Sequence, residues 1–116
     1  AHLREPLPVS LWEEGCAWRA GALEALGQQG RNYRVAYMSA HTAGQRSAIL
    51  ADLAVAPMPK SFIGGDLVEL SDKDGMPEMG TYSLAMLVSP DAPAQVKAVA
   101  DHIRAAFEAF RENGKF

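Results

Sequence analysis

Apolar and polar positions along this chain switch between two rhythms. The run Pro6-Leu7-Pro8-Val9-Ser10-Leu11-Trp12 reads as a short strand whose prolines sit only at its entry, where a missing N–H does least harm. From Gly15 to Gln29 the spacing changes. Trp18, Ala22 and Leu26 recur at helical intervals with Leu23 beside them, which predicts a helix with one apolar face. Gly30 stands where that helix should stop, because glycine enters the left-handed region cheaply. Tyr33 to Met38 reads as a second, buried strand. A second helix is expected from near Thr42, where Thr42-Ala43-Gly44-Gln45 fits a capping box and Ile49, Leu50 and Leu53 follow as a narrow apolar stripe. Ala54 to Met58 reads as a third buried strand, limited by Pro57 and Pro59.

The stretch from Lys60 to Gly80 is dominated by turn chemistry: Gly64-Gly65, Asp72, Asp74-Gly75 and Pro77. Within it, Asp66 to Leu70 has the look of a short edge strand. Thr81 to Val88 reads as a further strand, broken by Ser89-Pro90-Asp91. The last helix is expected over Pro93 to Glu112, closed by Asn113-Gly114. Its stripe of Val96, Val99, Ile103, Phe107 and Phe110 is the strongest helical signal in the chain, and wider than the remaining residues can readily cover. The order β-α-β-α-β, then a later returning strand and a long C-terminal helix, predicts an α/β fold with parallel strands and right-handed crossovers.

Composition narrows the possibilities. Hydrophobic residues make up 48% of the 116 positions and charged residues 22%, enough apolar content for a core. Eleven basic and 14 acidic side chains leave a net charge of −3, so a basic nucleic-acid footprint is absent. The single cysteine, Cys16, excludes an internal disulfide and a thiolate metal cluster. The longest unbroken apolar run, Leu84 to Val88, is far short of a membrane span of about 20 residues. With no secretory leader recognisable ahead of the first strand, a cytoplasmic setting is expected.

In an open α/β sheet, ligands gather at the carboxyl ends of strands, against helix N-termini. Two loops qualify: Trp12-Glu13-Glu14-Gly15-Cys16, and Met38-Ser39-Ala40-His41-Thr42. Free backbone N–H groups there would favour an anion such as a carboxylate, with Ser39, His41 and Thr42 as extra donors. Each residue also has a plainer role. Ser39 and Thr42 suit helix caps, and His41 an exposed loop position. Glu13 and Glu14 suit solvated charges at a helix start, Cys16 a buried bystander, and Trp12 and Trp18 packing. Ser71-Asp72-Lys73-Asp74-Gly75 lacks the ligand series of a calcium loop, and no phosphate loop or Gly-x-Gly-x-x-Gly is present. No catalytic constellation, metal site or cofactor is expected.

Several motifs carry a resemblance. Pro6-Leu7-Pro8-Val9, Glu14-Gly15-Cys16-Ala17-Trp18-Arg19 and the stretch from Gly30 to Ser39 stand in order and spacing with Ser47 to Pro59 and Gly75-Met76-Pro77-Glu78-Met79. Together, from Pro6 to Phe110, they resemble the effector-binding region of LysR-type transcriptional regulators. The chain is similar to the second lobe of that region followed by its C-terminal helix. One departure stands out: Asp52-Leu53-Ala54 occupies the place of a usual Gly-Leu-Gly turn. The resemblance implies a three-layer lobe of the type 2 periplasmic-binding-protein kind over residues 1–90. Residues 91–116 would be a helix that normally returns to the first lobe. It implies a small-molecule effector held between lobes by Trp12, Glu13, Cys16, Ser39, Ala40, His41 and Thr42. It further implies homo-oligomers, DNA contact only through a helix-turn-helix part absent from these residues, and no enzymatic activity. The alternative is a lobe of a solute-binding protein for a small organic anion.

Overall fold

The first predicted strand lies at the centre of the fold. In the computed structural model, which describes residues 1–113, β1 (Leu7–Leu11) is buried at every position. It is followed by α1 (Ala17–Gln29), β2 (Tyr33–Met38) and α2 (Thr42–Leu50). Two 3₁₀ turns come next, at Lys60–Phe62 and Asp72–Asp74, and then α3 (Ala94–Glu112). β1 and β2 pair in parallel, Leu7 opposite Tyr33 and Val9 opposite Val35. The register then slips so that Ser10 faces Tyr37, leaving Ala36 as the extra residue of a β-bulge. On its other side β1 meets Val55 in a single parallel bridge, in which Ser10 N–H donates to the Val55 carbonyl and Val55 N–H to that of Pro8.

This order explains the burial of β1. The chain crosses from β1 to β2 and then back past β1 to Val55. Right-handed crossovers in opposite directions place α1 and α2 on opposite faces of the sheet. The side chains agree with the alternation of a strand. Leu7, Val9 and Leu11 join Leu26 of α1 in the core, with Leu23, Val55 and Met76 packed against them, whereas Ser10 meets Gln45 of α2. α1 buries Ala22, Ala25 and Leu26, close to its predicted face, and ends on Gly30 in the left-handed conformation at φ 69°.

Several expectations are corrected. β2 is an exposed edge strand, with Val35 47% and Tyr37 43% exposed, because it has a neighbour on one side only. Ala54 to Met58 makes one bridge instead of a strand, its length limited by Pro57, which has no N–H to add to a ladder. Asp66 to Leu70 and Thr81 to Val88 form no ladder among the described residues; the apolar run is present but has no strand to pair with, and Leu87 is almost fully exposed. The buried face of α2 is Gln45 and Ala48, while Leu50 and Leu53 of the predicted stripe are exposed. The capping box at Thr42 does not form. His41 is the N-cap, without a side-chain bond, and Gln45 is turned into the core. A capping box does form at Ser71, with Asp74.

The α2 exit answers the question raised by Asp52-Leu53-Ala54. Asp52 N–H donates to Ile49 O and Leu53 N–H to Ala48 O, the paired bonds of a Schellman motif. The residue in the left-handed position is Asp52 itself, at φ 54°. Aspartate enters this region more readily than most side chains. Its carboxylate also accepts from Arg4 Nη2 at 3.2 Å and from the Ala1 amino group.

The chain divides into two units. The first comprises Ala1–Met58 and Phe62–Tyr82, and holds β1, β2, α1 and α2; the second comprises Pro59–Ser61 and the chain from Ser83 onward. In the second, α3 starts after Pro93 and its Val96, Val99, Ile103, Phe107 and Phe110 lie along one side, each roughly half-exposed. Phe107 and Phe110 meet edge to face at 6.4 Å. Asn113 is the C-cap; the predicted stop at Gly114 lies outside the described residues.

Candidate functional site

Parallel pairing of β1 and β2 brings the two predicted loops to one edge of the sheet. Both leave from carboxyl ends of adjacent strands, and they are tied at their roots, where Ser39 N–H donates to Leu11 O at 3.0 Å. Arg19 of α1 adds a second tie, with Nη1 donating to Trp12 O at 3.1 Å and lying 3.7 Å from Met38 Sδ.

The residues of the first loop have distinct surroundings. Trp12 is buried and gives its indole N–H to Pro57 O at 3.2 Å. It packs edge-on against Trp18 at 4.9 Å, and Trp18 in turn meets Phe62 and Tyr82. Glu13 and Glu14 are exposed. Gly15, at φ 89°, turns the chain into Cys16, the half-buried N-cap of α1. An open concavity of about 350 Å³ is lined by Glu14, Gly15, Cys16, Ala17, Arg19, Ala20 and Leu23. It holds Cys16 of the predicted residues, and none of the second loop.

The second loop is built around Ser39. Its Oγ accepts from His41 N–H at 3.1 Å, a local turn that leads the chain into α2. Gly44 lets the first turn of the helix lie against it; a Cβ at Gly44 would fall 2.8 Å from Ser39 Cβ. Ala40 and His41 are exposed and Thr42 is half-buried. Among the described residues, no protein acceptor takes the backbone N–H of Thr42 or Ala43, and no acidic side chain occupies the first turn of α2. The positive end of the helix dipole is thus open to solvent beside Ser39.

Sequence reasoning missed the residues that hold this edge together. Gln45 is fully buried and bonds to Ser10, Leu11 and Ser39. Its position three before Ala48 and four before Ile49, on one helix face, is the signal that pointed inward. Among the described residues no group of His, Cys, Asp and Glu could hold a metal ion, and no helix is long and apolar enough to cross a membrane.

The chain is similar to a transcriptional regulator. Over 102 residues it is 29% identical to the HTH-type transcriptional regulator DgdR of Burkholderia cepacia. The match covers 87% of this chain and 35% of that protein, so the chain spans about a third of its curated relative's length. No family model matches the chain. The two-stranded parallel sheet with its helices is compatible with an α/β lobe.

Proposed function

We propose that this chain is the effector-sensing part of a LysR-type transcriptional regulator. It is the second lobe of a type 2 periplasmic-binding-protein-like domain, with residues 91–116 returning to a first lobe. A small anionic effector sits at the edge formed by the loops 12–16 and 38–42. Its negative group rests at the N-terminus of α2, and a first lobe closes over it. DNA is contacted by a helix-turn-helix part outside these residues, and the chain itself performs no chemistry. A ligand that binds the closed arrangement better than the open one shifts the promoter-binding equilibrium by that difference in affinity.

One observation carries this reading: the Thr42 and Ala43 amides, which no protein acceptor takes among the described residues, stand beside Ser39 at the same edge as the first loop. Helix N-termini of this kind favour carboxylates. The similarity to a transcriptional regulator favours a sensor over a transport lobe.

The test is calorimetric titration of the intact protein with acetate, succinate and benzoate, and then of the Ser39→Ala and Thr42→Val variants. At least one carboxylate is expected to bind, and the two variants to bind it about tenfold more weakly, the scale of one lost hydrogen bond to a charged group. Unchanged affinity in both variants would remove the second loop from the site.

A further inference from the structure

We infer that Gln45 is a positioning residue that sets the spacing of the two loops. The inference rests on the reading of this edge as the effector site.

Gln45 is buried completely, so it cannot touch a ligand. A side-chain amide offers two N–H donors and one acceptor oxygen, and all are in use. Nε2 donates to Leu11 O at 2.7 Å and to Ser39 O at 3.0 Å, while Oε1 accepts from Ser10 Oγ at 2.5 Å. The orientation is fixed by the partners, since a flipped amide would set its oxygen against two carbonyl oxygens. Leu11 O accepts a second bond from Ser39 N–H, so both of its lone pairs are engaged.

The two carbonyls chosen matter. Leu11 is the last residue of β1 and immediately precedes Trp12; Ser39 follows the last residue of β2 and precedes Ala40. One amide from α2 therefore holds the roots of both loops, and the amides of Thr42 and Ala43 lie within the same helical turn as Gln45. Two of its three partners are backbone carbonyls, one from each loop root, which no change of side chain can remove. Gln45 gives something that an apolar pair cannot, a fixed distance between α2 and two separate chain segments.

Hydrogen–deuterium exchange of the intact protein, without ligand, tests this. The quantity read is the exchange of segments 12–16 and 39–43 relative to that of 7–11, in the wild type, in Gln45→Met and in the double variant Ser10→Val/Gln45→Leu. The double variant fills the site and keeps the fold if the single variant does not. Both ratios are expected to rise about tenfold in the variant that folds, as the two roots lose their shared anchor. A rise in one segment only, or equal loosening of all three that leaves the ratios unchanged, overturns the inference and makes Gln45 an ordinary core residue. A wild type that binds no carboxylate removes the sensor reading and leaves the exchange result standing. A carboxylate binder whose ratios stay at the wild-type value keeps the sensor reading and loses this one.

Discussion

Arg31 donates through Nη1 to the Gly75 carbonyl oxygen at 3.0 Å, and a Cβ placed on Gly75 would fall 3.3 Å from the same nitrogen. The guanidinium also donates to Glu5 at 3.0 Å and to His2 O at 2.8 Å, with Gln29 Nε2 reaching Gly75 O as well. Glu5, Gln29, Arg31 and Gly75 line an open concavity of about 500 Å³ at the amino ends of the strands, away from the candidate site. Their role is to fasten the 71–75 turn and the N-terminal segment to the α1–β2 connection.

Gly75→Ala is therefore expected to cost about 1–2 kcal/mol, since φ 76° disfavours any Cβ and the added methyl crowds Arg31. Arg31→Met should cost about 2–3 kcal/mol, because the mostly buried guanidinium satisfies two separate carbonyls. Urea unfolding with an unchanged slope is the measurement. A Gly75→Ala midpoint equal to that of the wild type would mean that the turn relaxes freely.

A second prediction concerns the exit of α2. Asp52→Gly is expected to stabilise by about 0.5–1 kcal/mol by removing the left-handed penalty from the Schellman position, less whatever its carboxylate contacts contribute. Asp52→Val should destabilise, as a β-branched side chain is least tolerated at φ 54°. Thermal melts of both variants beside the wild type are the measurement. An Asp52→Gly protein that melts below the wild type would show that the left-handed position carries no penalty here.

A third prediction tests the contact between α2 and its loop. Glycine to alanine inside a helix usually stabilises by about 1 kcal/mol. At Gly44 the sign should reverse, with a loss of about 1–3 kcal/mol, because the new methyl collides with Ser39 Cβ. Ser39→Gly should restore much of the loss in the Gly44→Ala background. A double-mutant cycle with coupling near zero would place the two residues apart in solution.

Much of the fold was legible because its signals were local. The face of α1, the stop at Gly30, the extent of β2 and the course of α3 all follow from spacing and one glycine. What was not legible depended on neighbours. Val35 and Tyr37 read as buried because apolar β residues usually are, yet exposure is set by how many strands flank β2. Thr81 to Val88 has strand composition, but a ladder needs a partner that pattern reading cannot supply. Gln45 read as part of a capping box at Thr42, and Ser10 as one more position of the first strand. Burial becomes affordable only when each meets the other across two elements distant in sequence, a pairing that no local window contains. The two loops were found because strand ends and helix starts are local features; the amide that binds them was not.

Both tryptophans of this chain, Trp12 and Trp18, stand 4.9 Å apart at the edge where the loops emerge. Indole emission from the protein is thus a built-in optical gauge of that single region. The far end, with its arginine clasp, is silent to it, so a spectral change on adding a solute would locate the event as well as detect it.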